Sequence, residues 1–253
     1  MAIVIPFISD NKIVYGIYSI CISTAMFLTY ADMGFISAGI KYAGESYARG
    51  EHKEELKYYS FSGFILTIFV GLIALIYYYL SLHPEILIKD IGNSPHLKIA
   101  SKILLIQAIF SFSTVLQRFV DGVFQVRIEQ YIYNRINIVA GVLNILSVYY
   151  FFGSGEYDIV GYFLFVKIVN LSVQVISLIV INHKYKLSTI QYFKGFKFDI
   201  EIFSKIKHLA FGSLFVTLVW ILYYELDIVA IGMMFGATDV AIYALAFTLM
   251  KFM

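Results

Sequence analysis

Residues 58–84 read YYSFSGFILTIFVGLIALIYYYLSLHP and contain no Asp, Glu, Lys or Arg. A helix needs about 20 consecutive apolar residues to cross a bilayer, and this run is longer than that. A strand this long and this uniformly apolar does not fit the alternating pattern of a membrane barrel. The run therefore predicts a transmembrane helix, and it indicates that lipid surrounds much of the chain.

The composition of the whole chain agrees with a membrane protein. Of the 253 residues, 60% are hydrophobic and 14% are charged, and the mean hydropathy is +0.79. Soluble domains usually have about 25% charged residues. The net charge of +2 is too small to indicate a nucleic-acid partner. The single cysteine, Cys21, excludes a disulfide framework, and we expect no metal and no cofactor.

Six further apolar runs follow the same logic as residues 58–84. The run 159–182 is interrupted only by Lys167, and the short run 103–117 has Lys102 and Arg118 at its ends, where long side chains can reach the interface. Together the runs predict an all-α fold, a polytopic transmembrane helix bundle of about seven spans. The other four runs are residues 13–31, 136–155, 208–224 and 240–250.

Basic residues predict the orientation of this bundle. The stretches 41–57, 118–135 and 183–207 contain 13 of the 19 Lys and Arg residues. Loops rich in Lys and Arg face the cytoplasm. We therefore expect a multi-pass protein of the cytoplasmic (inner or plasma) membrane with these three stretches on the cytoplasmic side. In the last of them, interleaved Lys and Phe side chains are suited to contact anionic membrane lipids.

Polar residues recur along one face of each of three predicted helices, and this is the main functional signal in the sequence. Such stripes indicate either a shared hydrated cavity or hydrogen bonding between helices. Lys167 lies near the middle of its span, where a charge requires water or an ion pair. Arg118 and Asp121 are close enough along a helix to pair with each other. The stripes are Gln107, Ser111, Thr114, Arg118 and Asp121; Asn134, Asn137, Gly141, Asn144 and Ser147; and Lys167, Asn170, Gln174 and Ser177.

The sequence contains no recognisable catalytic constellation. No phosphate-binding glycine loop and no nucleophile elbow is present, and the histidines lack the spacing of metal ligands. We therefore expect a protein that is not an enzyme. The histidines are His52, His83, His96, His183 and His208, all at predicted loops or span ends.

Two phrases of the sequence resemble a known family. Residues 15–60 read YGIYSICISTAMFLTYADMGFISAGIKYAGESYARGEHKEELKYYS, with Tyr15-Gly16, Asp32-Met33-Gly34 and Arg49-Gly50 at positions typical of that family. Residues 223–249 read YYELDIVAIGMMFGATDVAIYALAFTL, with Asp227, Gly236 and Ile242-Tyr243-Ala244 as the matching positions. The chain is similar to the Wzx-like oligosaccharide flippases of the multidrug/oligosaccharidyl-lipid/polysaccharide exporter superfamily.

The resemblance implies an arrangement in two lobes. Family members have 12 to 14 spans around a central cavity, and this chain resembles spans two to eight. Residues 1–182 would form the first lobe with its first span largely missing, residues 183–207 a basic cytoplasmic linker, and residues 208–253 the start of a second lobe. In the linker, either Asp199 caps an amphipathic helix on the membrane surface or the segment is a plain loop.

The resemblance also implies a substrate and residues to bind it. The substrate would be a lipid-linked oligosaccharide of the lipopolysaccharide O-antigen type, with glycan-assembly proteins as possible partners. The substrate-cavity candidates are Lys167, Asn170, Gln174, Arg118, Asn137 and Asn144. The carboxylate candidates for ion coupling or for a structural role are Asp32 and Asp227; Asp32 would either cap a helix after a break at Met33-Gly34 or bind an ion.

Three alternative functions remain open on the sequence. A multidrug or cation antiporter of the same superfamily would share the fold but have a more apolar cavity. A membrane-embedded glycan polymerase or acyltransferase would need a large outer loop, and the predicted outer loops are short. The chain could also be an inactive fragment of a longer transporter.

Overall fold

The architecture is helical throughout the part of the chain that the structure describes. This computed structural model describes residue 7 and residues 11–29, 34–88, 95–153, 157–224 and 226–251. No strand occurs in those residues, so the predicted all-α class is confirmed. The eleven α-helices of those residues are α1 (Lys12–Thr29), α2 (Phe35–Ala48), α3 (His52–Leu82), α4 (Pro95–Phe110), α5 (Ser113–Val126), α6 (Gln130–Phe152), α7 (Ile159–Tyr185), α8 (Thr189–Lys194), α9 (Ile200–Tyr224), α10 (Leu226–Met234) and α11 (Ala237–Lys251).

Several of these helices are long and apolar enough to cross a membrane. Helices α3, α6 and α7 each meet that test, and the bent pair α4–α5 counts as a fourth span if its two helices are taken together. Helices α1 and α11 contain shorter apolar stretches, Lys12–Ala25 and Ala237–Phe247. The chain is therefore a multi-pass membrane protein. The remaining spans of the predicted seven fall on α1, α9 and α11 and stay a prediction.

The predicted break near Asp32 is present. Helix α1 ends at Thr29 and α2 begins at Phe35, with Gly34 between them in the left-handed conformation at φ 78°. A Cβ at Gly34 would overlap the carbonyl oxygen of Ala210 in α9. Glycine therefore serves both the backbone conformation and the close approach of α9. Asp32 itself lies outside the described residues, so its role as a cap or an ion site stays a prediction.

Two stretches that the sequence suggested as loops are mostly helical. Within residues 41–57, α2 continues to Ala48 and α3 begins at His52, so only a tight turn around Gly50 separates them. Within residues 118–135, α5 and α6 are separated by Arg127–Glu129 alone. The charged residues therefore extend the membrane helices beyond their apolar parts instead of forming open loops.

The run 103–117 is not one straight helix, as its apolar pattern suggested. The chain turns at Ser111 and Phe112, and the axes of α4 and α5 differ by 50°. The hydroxyl of Ser111 donates to the carbonyl of Gln107, and that of Ser113 donates to the carbonyl of Phe110. Side chains that bond carbonyls of the preceding turn compete with the helical pattern and favour a bend.

The C-terminal helices pack on the α1–α2 side of the bundle. Helix α11 lies along α1, and α9 lies against α2. Gly16, in the first family-like phrase, touches the start of α11, and a Cβ there would overlap the carbonyl oxygen of Ala237. The glycines of that phrase thus permit close contacts between the helices of residues 11–48 and those that follow residue 200.

The segment between α7 and α9 contains a short helix that docks on the bundle. Ser188 caps α8 by accepting a hydrogen bond from the amide of Gln191. Tyr192 of α8 is buried, and its ring stacks on Phe119 of α5 with centroids 4.1 Å apart. Asp199 accepts from the amides of Glu201 and Ile202, so it caps a helix as predicted. That helix is α9, which continues to Tyr224, and not a separate surface helix.

Candidate functional site

Three helices hold most of the predicted cavity residues, and they pack against one another. Helix α7 lies against both α5 and α6. Helices α6 and α7 are consecutive and antiparallel, so residues equally far from residues 153–158 lie at similar depth. With a rise of about 1.5 Å per residue, Asn144 lies near the depth of Lys167, and Asn137 near that of Gln174. The candidates on these two helices therefore form two layers.

Lys167 is half-buried inside its span, and its charge is only weakly compensated. Its ammonium nitrogen lies 5.2 Å from the ring centroid of Phe163, a cation–π distance. Within the described residues no carboxylate lies within ion-pair distance of Lys167. The sequence allowed either an ion pair or a hydrated cavity around Lys167. No ion pair is found among the described residues, which favours the cavity.

On the inner face of α7, Asn170 is an exposed position between two buried ones. Phe163 and Ser177, two turns before and after it, share its helix face, and both are buried. Asn170 between them is exposed. Exposed apolar side chains of α7, such as Ile168 and Ile176, lie on the other side of the helix. Asn170 is therefore exposed on a different side of α7 from these apolar residues, and its contact with the substrate stays a prediction.

Further along the same face of α7, two polar side chains are buried, and each has an oxygen without a hydrogen-bond partner among the described residues. Gln174 is 4% exposed and Ser177 is fully buried. Neither the Oε1 of Gln174 nor the Oγ of Ser177 has a hydrogen-bond partner among the described residues. An unsatisfied buried polar group costs about 1–3 kcal/mol, which a bound water or a ligand group would offset.

Helix α6 presents a similar inner face. Asn137 is half-buried and donates to the carbonyl of Tyr133 at 3.1 Å. Asn144 is half-buried, and its Oδ1 is buried without a partner among the described residues. One turn before it, a Cβ on Gly141 would meet no atom within 4 Å. Asn134, which the sequence placed in this stripe, is exposed near the start of the helix, two turns before Gly141.

Arg118 and Asp121 of α5 lie near the layer of Asn137 and Gln174. The charge of Arg118 acts on Asp121, as the sequence suggested, and Gln130 of α6 lies within hydrogen-bonding reach of the same carboxylate. Both charges also act on Tyr133 of α6. This arrangement joins the polar face of α5 to that of α6.

Gln107 and Ser111, the first two residues of the stripe that ends at Asp121, have a different role. The amide of Gln107 donates to the carbonyl of Cys21 in α1 at 2.7 Å, and its side chain is fully packed. Because of the bend at Ser111, Gln107 does not share a face with Arg118 as the spacing predicted. Gln107 and Ser111 are therefore hydrogen-bonding contacts between and within helices, the other reading of the stripes.

Asp227 lies outside the three-helix group. It is exposed near the start of α10, and the hydroxyl of Tyr243 in α11 donates to its Oδ2 at 2.9 Å. Both residues belong to the second family-like phrase, so that phrase encodes a contact between α10 and α11. The ion-coupling role of Asp227 stays a prediction.

The most buried ion pair of the described residues was not anticipated from the sequence. The Nη1 of Arg127 lies 2.7 Å from the Oε1 of Glu55, and the two side chains are 3% and 0% exposed. The rings of Tyr47 and Tyr185 lie 4.6 and 4.7 Å from the guanidinium carbon. We call these four residues the cytoplasmic clamp, because they join α2, α3, the α5–α6 turn and α7 at the end of the bundle that its basic residues predict to be cytoplasmic.

A second contact reinforces the cytoplasmic clamp. Both carboxylate oxygens of Glu129 accept from Lys184, at 2.7 and 2.8 Å, and Glu129 also accepts from the hydroxyl of Tyr185. The hydrogen bonds from Lys184 hold the pKa of Glu129 below its ordinary value. The only sequence signal for these contacts is the placement of acids next to predicted basic turns, which does not reveal which charges meet.

A polytopic all-α bundle with polar side chains on the inner faces of three neighbouring helices suits membrane transport. A family model described as "Polysaccharide biosynthesis protein" matches residues 11–252. The chain belongs to the polysaccharide biosynthesis protein family, as its two phrases indicated. Members of this family are generally transporters of the flippase type and not enzymes. A search of curated proteins and a search of solved structures each find no match.

Proposed function

We propose that this chain acts in a flippase that moves a lipid-linked oligosaccharide across the cytoplasmic membrane, with residues 1–182 in its first lobe and residues 208–253 in its second. The observation that supports it most is the pair of polar layers on α5, α6 and α7, with unsatisfied oxygens on Gln174, Ser177 and Asn144. The match of nearly the whole chain to the polysaccharide biosynthesis protein family adds to it.

The physical problem of such a substrate explains these features. Each sugar hydroxyl would lose its water in the hydrocarbon core, at a cost of several kcal/mol per group without a replacement. Amide and hydroxyl side chains on the inner faces offer that replacement, and Lys167 and Arg118 attract phosphate or acidic sugars. The lipid chain remains in the bilayer while the two lobes alternate around the polar site.

The cytoplasmic clamp gives the lobe the rigidity that this mechanism needs. In an alternating-access transporter, one lobe rocks against the other around a site whose own geometry is kept. The clamp ties the cytoplasmic ends of the site helices to α2 and α3. We therefore assign motion to the contacts of α1 and α2 with α9 and α11, where glycines permit close packing.

Deletion of the complete gene tests the proposed function. We expect loss of the surface glycan together with accumulation of the lipid-linked oligosaccharide on the cytoplasmic leaflet, both reversed by the wild-type gene. The measurement is mass spectrometry of extracted lipid-linked sugars, with and without a glycosidase applied to the outer surface. A multidrug antiporter would instead change sensitivity to cationic dyes and leave the glycan intact, which would contradict the proposal.

A further inference from the structure

An apolar hollow lies where the α4–α5 bend, α7 and the docked helix α8 meet. Its volume is about 580 Å³, within the range of small-molecule sites. A second hollow of about 520 Å³ shares Thr67 and Phe112 with the first and follows α3 from Thr67 to Tyr78. That part of α3 begins 15 residues after the start of the helix, so the second hollow continues from the first towards the opposite side of the membrane, away from α8. We call the first hollow the linker groove.

The walls of the linker groove suit a hydrocarbon chain. Phe112 and Phe193 present exposed rings to it. Its hydroxyl groups have no free donor, since Thr67 donates to the carbonyl of Gly63 and Ser113 to that of Phe110. The inner face of α7, with its unsatisfied Gln174 and Ser177, is different in this respect. An occupant of the groove therefore gains from apolar contact alone.

The charge at one end of the groove identifies the rest of the occupant. Phe193 and Phe196 line that end, and Lys194 and Lys197 alternate with them along the chain. Both lysines are exposed, and neither is paired with a carboxylate among the described residues. The stacking of Tyr192 on Phe119 fixes the position of this segment. Two exposed lysines next to the aromatic residues that line the groove suit an anionic headgroup.

We propose that the linker groove is a binding site for an anionic phospholipid of the cytoplasmic leaflet, with one acyl chain in the groove and the phosphate between Lys194 and Lys197. Such a lipid would brace α8 and the segment after it against the first lobe. This site is argued from the groove and its lysines, and it stands whether or not the transported substrate is a lipid-linked sugar.

Photolabelling of the reconstituted chain tests this site. The probe is phosphatidylglycerol with a diazirine in the middle of one acyl chain, and the comparison is phosphatidylcholine with the same chains. We expect phosphatidylglycerol to label the peptides that contain Phe112–Leu116 and Phe193–Phe196 more strongly than phosphatidylcholine does. Equal labelling by the two lipids, or labelling elsewhere only, would overturn the proposal.

Two variants make the test specific. Lys194→Gln/Lys197→Gln should weaken competition by unlabelled phosphatidylglycerol about twentyfold, since each lysine near an anionic headgroup contributes roughly fivefold. The matched control is Lys53→Gln/Lys205→Gln, which removes two exposed charges elsewhere on the basic side and should change nothing. Leu116→Trp should fill the groove and reduce labelling; if it fails to fold, the lysine variants still decide.

The chemical source of the lipid is decided by competition. A polyprenyl phosphate that displaces the probe at lower concentration than phosphatidylglycerol would show that the groove prefers an isoprenoid chain, and this would overturn the assignment to a phospholipid. Unchanged competition in Lys194→Gln/Lys197→Gln would equally overturn it. Neither result would touch the proposed flippase function, which the glycan measurement tests separately.

Discussion

Arg127→Met is expected to lower the free energy of unfolding by about 3–5 kcal/mol, because it leaves the carboxylate of Glu55 buried without its counter-charge. Glu55 is fully buried, and the other basic group close to it is His52, 3.3 Å away and largely exposed. The loss also removes the contacts of the guanidinium with Tyr47 and Tyr185. Unfolding of the purified chain in mixed micelles, followed by circular dichroism, measures it.

Two further variants separate the ion pair from general damage to the fold. Glu55→Leu/Arg127→Met replaces both charges with apolar groups and should recover most of the lost stability, since such exchanges are often neutral. Arg49→Met removes a similar charge from the exposed pair with Glu51 and should change the stability far less than Arg127→Met does. A small effect of Arg127→Met, similar to that of Arg49→Met, would contradict the cytoplasmic clamp.

Lys167→Ala is expected to have the largest effect on transport. A hydrogen bond between a charged group and the substrate contributes about 1.5–3 kcal/mol, so its loss should reduce the rate of glycan export roughly 10- to 150-fold at limiting substrate. Lys167→Arg keeps the charge and should retain part of the activity. Export is measured as surface glycan formed per unit of protein after induction of the gene in the deletion strain.

The control for this prediction is Lys102→Ala, which removes an exposed lysine from α4. It should leave export unchanged, and both variants should be present in the membrane at wild-type amounts. Full export by Lys167→Ala at normal abundance would remove Lys167 from the site. Reduced export together with reduced abundance would be settled by Lys167→Met, which keeps the length of the side chain for packing.

The sequence predicted those parts of the fold that depend on local apolar pattern. Helices α3, α6 and α7 follow from uncharged runs, and the break before α2 follows from Gly34, because span length and backbone freedom are properties of neighbouring residues. The bend between α4 and α5 was missed. It depends on the hydroxyls of Ser111 and Ser113, and serines with the same spacing also occur in straight membrane helices.

The candidate site was predictable in part for the same reason. The stripes on α6 and α7 have helical spacing, so Asn144 and Gln174 could be named before their surroundings were known. The separation of Gln107 from Arg118 could not be predicted, because it follows from the bend between α4 and α5. The pair of Glu55 and Arg127 joins residues far apart in the sequence, and no local pattern states which acid meets which base.

Access of water to the inner face of α7 is the central claim, and thiol labelling tests it most directly. In a Cys21→Ala background, which removes the single native cysteine, Asn170→Cys and Ile176→Cys are treated with a membrane-impermeant maleimide in sealed vesicles of either orientation. We predict labelling of Asn170→Cys from at least one side. We predict no labelling of Ile176→Cys, because this position is exposed on the protein surface but is expected to be covered by lipid. Absence of labelling at Asn170→Cys from both sides, or equal labelling of the two positions, would contradict the polar site.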